Sequence, residues 1–164
     1  MPFDGVNQAN AEAAGRAQAQ AAQNAAANAA KLGADKVSLL GHAAWLLTQT
    51  PTHKHLFITD LEWLVIPPVS LDQFRLWRQG NLPVAFATWA YLSEDAEQRL
   101  MQGVRRLSPM DWKSGETLWL MDLIAPFGGA DEAMTELREK IFPGQKIKTL
   151  QPAPSGDGMA VVEW

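Results

Sequence analysis

Residues 116–129, ETLWLMDLIAPFGG, read as a strand that runs into a turn and then into the start of a helix. From Leu118 to Ala125 a period-of-two reading gives two apolar faces, the pattern of a strand covered on both sides. Asp122 sits in the middle of it. Burying an unpaired carboxylate costs several kcal/mol, so the group must be partnered, protonated, or placed at a cleft where its charge is used. A strand covered on both faces also predicts helices on either side of a sheet.

The flanking chain agrees. Pro126 to Gly129 form a turn, and Asp131 to Phe142 is a helix with Met134, Leu137 and Ile141 on one face, stopped by Pro143 and Gly144. Lys146–Leu150 and Met159–Trp164 read as a terminal strand pair around the loop PAPSGDG. Upstream, the run from Phe74 to Ser93 gives two strands joined at Gln79, Gly80 and Asn81, the second of them, Val84 to Tyr91, apolar on both faces. Ser93 caps a helix that runs to about Gly103 and carries Glu94, Asp95 and Glu97 in its first turn, where the helix dipole favours them. Leu61 to Val69 is open between helix and strand, with Pro67 and Pro68 expected to end it. Before it, Asp35 is expected to cap a helix whose face is Val37, Leu39, Leu40, Ala43, Ala44, Leu46 and Leu47, closed by Pro51. Gly41 inside that helix suggests close approach by another backbone. The order predicts an α/β sandwich with a mixed central sheet and helices on both faces.

Composition narrows the function classes. A chain of 164 residues, 47% hydrophobic with seven tryptophans, buries one good core and leaves little for a second. Residues 36–164 are expected to form that single domain, and residues 1–35, rich in Ala, Gln and Asn, a frayed helix or disordered tail. A formal net charge of -4 argues against a basic nucleic-acid binder. The absence of cysteine excludes disulfides, thiolate nucleophiles and cysteine-ligated zinc, and fits a reducing cytoplasm. No apolar run reaches the roughly 18–20 residues of a membrane span.

Three histidines remain as candidates for chemistry. His42 lies on the first helix with nothing near it in sequence to tune it, whereas His53 and His55 flank Lys54 in the loop after Pro51. A loop histidine is free to point into a cleft, but His-x-His alone lacks the further ligand a metal wants. Trp89, Trp112 and Trp119 are read as core side chains in preference to ligand contacts.

Four segments in order, LGHAAWLL, QTPTHKH, LPVAFATWAYLS and WKSGETLWLMDLIAPFGG, resemble the toxin-activating lysine acyltransferases that acylate repeat-in-toxin (RTX) protoxins. The likeness covers about Val37 to Phe142. It implies a GNAT-like acyltransferase fold, a cytoplasmic enzyme that works as a homodimer, and transfer of a fatty acyl group from acyl carrier protein to internal lysines of an RTX-type protein. No cofactor would be permanently bound; the donor would be acyl carrier protein, whose thioester hangs on a phosphopantetheine arm. The catalytic histidine of the resemblance falls on His53 and the aspartate on Asp122, and a hydroxyl that the family often supplies as serine falls on Thr50.

Those two residue types suit the reaction. A lysine amine must lose a proton before it is a nucleophile, and an imidazole, ordinarily titrating near about 6.5, can accept one. A carboxylate on the other ring nitrogen fixes the tautomer and stabilises the imidazolium. Direct attack on the thioester and a transient acyl-histidine both remain open. Thr88 and Trp89, or the amides of the Phe127–Gly129 turn, are candidate donors to the oxyanion. No Q/R-x-x-G-x-G/A loop for coenzyme A pyrophosphate precedes a helix, which favours a carrier protein. Lys54, Arg75, Arg78, Arg105, Arg106 and Lys113 are the basic residues to meet an acidic one. A GNAT-type enzyme acting on a small amine, and a silent module binding the carrier or repeat protein, are the alternatives.

Overall fold

The computed structural model describes the backbone of residues 4–164 and the side chains of 12–26, 33 and 35–164. The chain divides into two units, one ending at Val37 and one spanning Ser38–Trp164. The helix α1 (Asp4–Thr48) belongs to both, with a break at Gly33 (φ 66°, ψ 163°), two residues ahead of the cap expected at Asp35. In the first unit, residues 12–26 are helical with exposed side chains.

The second unit carries the fold. Leu46 and Leu47 of α1 are buried, and Pro51 follows its end. An added Cβ at Gly41 would meet nothing within 4 Å, so among the described residues the close approach expected there does not occur. Leu61–Val69 resolves as helix: a 3₁₀ turn (Ile58–Asp60) leads into α2 (Leu61–Leu64) and α3 (Ile66–Ser70). Pro67 and Pro68 do not end this segment; they occupy the first turn of α3, where a missing N–H costs nothing.

The sheet has five strands in the order β1 (Phe74–Gln79), β2 (Leu82–Leu92), β3 (Thr117–Ile124), β4 (Lys148–Pro152) and β5 (Met159–Glu163). Strands β1, β2 and β3 form an antiparallel meander, and β4 and β5 an antiparallel hairpin. The two pieces join in parallel through a single register pair, Trp119 with Lys148, so the sheet is mixed as expected.

Each face is covered. Helix α5 (Ala130–Glu136) continues as a π-helical turn (Leu137–Ile141), and Met134, Leu137, Phe142 and Ile147 pack on Ala87, Trp89, Leu118 and Leu120. On the opposite face, Ala96 and Leu100 of α4 (Glu94–Met101), with Leu107 and Trp112, pack on Ala90, Leu92 and Trp119. The result is an α/β fold. Helix α4 starts where Ser93 accepts a hydrogen bond from the Ala96 amide at 3.3 Å, the cap read from sequence. Buried Gln73 donates to the carbonyls of both Trp89 and Trp112, each at 2.9 Å, and so ties β2 to the segment before β3. That segment presses so closely on β2 that a Cβ at Gly115 would lie 2.3 Å from the Leu92 carbonyl oxygen.

Candidate active site

Strict alternation along β3 would place Asp122 on the same face as Leu118 and Leu120, under α5. The pairing shows otherwise. Trp89 faces Leu120 and Thr88 faces Asp122, so β3 holds one extra residue, Met121, in a bulge. A bulge turns the strand locally and re-aims the side chains beyond it. Leu120 and Leu123 pack with the α5 cluster and Met121 with the α4 cluster, which leaves Asp122 on the α4 side. Thr88, its cross-strand neighbour, shares that face.

His53 comes to the same place from 69 residues away. Thr50 and His53 sit in a tight turn after α1, in which the amides of His53 and Lys54 both donate to the Thr50 carbonyl, at 3.3 and 3.1 Å. The turn holds the imidazole with Nε2 3.2 Å from Asp122 Oδ1. The side chains are 20% and 12% exposed, enough to reach substrate and little enough that the pair is shielded from bulk water. On the other edge of the ring, Nδ1 lies 3.1 Å from Thr50 Oγ1 and 2.9 Å from Thr52 Oγ1. The structure thus brings together His53, Asp122 and Thr50.

The pair borders a cavity of about 470 Å³. Leu56, Trp63, Leu64, Trp112, Trp119 and Leu150 make its walls apolar, while Thr52 and Arg105 are its exposed polar residues. Pro152 and Met159 of the β4–β5 hairpin also line it. Asp60 braces the wall. It accepts hydrogen bonds from the Phe57 amide (2.9 Å), Trp63 Nε1 (3.0 Å) and Arg106 (2.8 Å), and the Arg106 guanidinium stands 5.3 Å over the Trp63 ring. The Trp63 hydrogen bond, then that of Phe57, and the charge of Arg106 hold its carboxyl below the usual range.

Other expected residues lie elsewhere. His55 is exposed, and His42 Nδ1 is 3.3 Å from Arg78. The Trp89 side chain packs edge-on to Phe142 on the α5 face and its amide donates to the Gln73 carbonyl, so it is not an oxyanion donor here. Phe127, Gly128 and Gly129 stand outside the cavity, and the Gly128 amide is taken by the Ala125 carbonyl. Thr88 is buried, and its hydroxyl has no hydrogen-bond partner among the described residues. Arg75 and Arg106 are committed to Glu136 and Asp60. The bulge and the Asp60 brace were not read from the sequence.

Residues 33–164 match the profile of the RTX toxin acyltransferase family. The chain belongs to that family. It is 34% identical over 119 residues to the lysine-acyltransferase RtxC of Vibrio cholerae, covering 69% of this chain and 76% of that one. The RTX-III toxin-activating lysine-acyltransferase ApxIIC of Actinobacillus pleuropneumoniae is 34% identical over 128 residues, 78% of this chain and 73% of that protein. The protein-lysine myristoyltransferase HlyC of Escherichia coli is 31% identical over 118 residues, 72% of this chain and 69% of that one. His53, Asp122 and the apolar cavity beside them all lie inside the segment that matches the RTX toxin acyltransferase family.

Proposed function

We propose that this chain transfers a fatty acyl group from acyl carrier protein to the ε-amine of internal lysines of an RTX-type protoxin, with His53 as general base and Asp122 as its orienter. The observation that carries the reading is the His53–Asp122 hydrogen bond at the edge of a cavity walled by leucine and tryptophan, in a chain of this family. An acyl chain removes apolar surface from water at about 25 cal/mol per Å² on entering such a cavity, and its thioester would then stand beside the imidazole. His53 takes a proton from the attacking lysine as the C–N bond forms. Asp122 stabilises the resulting imidazolium, and the proton is returned to sulfur as the C–S bond breaks.

The donor is an acidic carrier bearing a phosphopantetheine thioester. Arg105 at the cavity and exposed Lys54 beside His53 are the cations placed to meet it, so transfer should weaken with rising salt. The enzyme works in the cytoplasm as a homodimer.

Intact-mass analysis of an RTX-type acceptor after co-expression with this chain tests the reading. A fatty-acyl mass on lysine should appear, disappear with His53→Ala, and form more slowly by on the order of ten-thousandfold with Asp122→Asn. Full transfer by either variant would remove the site assignment. Acylation of small amines without any protein acceptor would replace the substrate.

A further inference from the structure

The arrangement of protons around the His53 ring bears on which nitrogen acts, and this rests on the acyltransferase reading above. A carboxylate only accepts hydrogen bonds, so the contact with Asp122 at 3.2 Å places a proton on Nε2. In the neutral ring Nδ1 is then a bare lone pair. Two hydroxyls stand against it, Thr52 Oγ1 at 2.9 Å and Thr50 Oγ1 at 3.1 Å. Each has one proton to give. Thr50 donates its proton to the Leu47 carbonyl at 2.9 Å, in the last turn of α1. Thr50 therefore offers Nδ1 a lone pair, and Thr52 is the residue left to offer it a proton.

We propose that Thr52 is a proton relay between the acceptor lysine and Nδ1 of His53, whose tautomer Asp122 sets. Thr52 is exposed and lines the cavity, so an amine reaching the thioester from solvent meets its hydroxyl. As the lysine nitrogen bonds to the thioester carbon, its proton passes to Thr52 Oγ1 while the Thr52 proton passes to Nδ1. The imidazolium is held by Asp122 at Nε2, and its Nδ1–H is accepted by Thr50 Oγ1. When the C–S bond breaks, the departing sulfur takes the proton from the ring, giving the amide, the thiol and the neutral imidazole. One threonine serves the base and the other its conjugate acid.

The test compares the wild type with Thr52→Val, Thr52→Ser and His53→Ala, using acyl carrier protein charged with a fatty acid and a purified RTX-type acceptor. Nitrogen NMR of the ring reads the tautomer in the wild type and in Thr52→Val. Thr52→Val should lower kcat about tenfold or more with little change in KM, and Thr52→Ser should restore it. The ring should be protonated on Nε2 in both the wild type and Thr52→Val, because Asp122 sets the tautomer in each. Wild-type kcat in Thr52→Val, or a neutral ring protonated on Nδ1, overturns the relay. If His53→Ala abolishes transfer while Thr52→Val keeps the wild-type kcat, the base stands and the relay falls. If the wild type transfers nothing, the acyltransferase reading falls, and the NMR arm still decides the tautomer.

Discussion

Two carboxylates in this chain are provided for in different ways. Among the described residues Asp122 has one side-chain partner, His53, and an apolar cavity beside it. Asp111 is saturated: Arg99 gives it two hydrogen bonds, at 2.7 and 3.2 Å, and the amide and hydroxyl of Ser108 each add one at 2.8 Å. The Arg99 hydrogen bond is the largest cause of a pKa lowered from 3.8 to about 2. Because the folded value is the depressed one, the stability Asp111 contributes is complete above about pH 4 and is lost as the pH falls towards 2. Asp111→Asn should therefore be less stable than the wild type at pH 7 and should lose less further stability between pH 4 and pH 2. Denaturant unfolding across that range measures both. Asp122 was legible as a problem from its neighbours alone, because a charge in an apolar strand needs a reason. Its partner was not, since nothing within β3 points to a loop 69 residues earlier; the resemblance supplied His53. Thr52 was not singled out, because a hydroxyl next to a histidine in sequence carries no sign of where its proton goes.

At the level of elements, local chemistry was easier to read than pairing. The cap at Ser93, the hairpin turn after Gln79 and the helix after Gly129 arise from residues close together in the chain, and each stands where the sequence puts it. The two prolines after Ile66 were misread, because a proline that ends one helix looks the same in sequence as a proline that starts the next. The bulge at Met121 was invisible for a stronger reason: it exists only in the register between β3 and β2. Deleting Met121 should restore plain alternation and turn Asp122 towards α5. The variant is expected to lose transfer altogether, and a carboxylate forced under Met134 and Leu137 should also lower its stability by several kcal/mol. Met121→Ala keeps the bulge, so it should retain the His53–Asp122 geometry and most activity. Activity assays beside denaturant midpoints for the two variants separate loss of register from loss of the methionine side chain.

The whole molecule is a unit from Ser38 onward, with a helical stretch ahead of it. The family match begins at residue 33, and the residues around the His53–Asp122 pair all lie beyond it. Removal of residues 1–32 should leave acyl transfer intact, since the segment that matches the family begins after them. A loss of transfer, with the shortened protein still folded by circular dichroism, would assign the Ala-rich helix a part in the reaction. Within the second unit, the meander β1–β3 and the hairpin β4–β5 meet at one register pair, reinforced by the Lys148–Glu97 ion pair. The cavity draws Trp119 and Leu120 from the first piece and Leu150, Pro152 and Met159 from the second. A chain halted before the hairpin docks would hold His53 and Asp122 beside a cavity still lacking the Leu150, Pro152 and Met159 side of its wall. Acylation is in that sense an inspector of its own enzyme, silent until the last part of the fold has arrived.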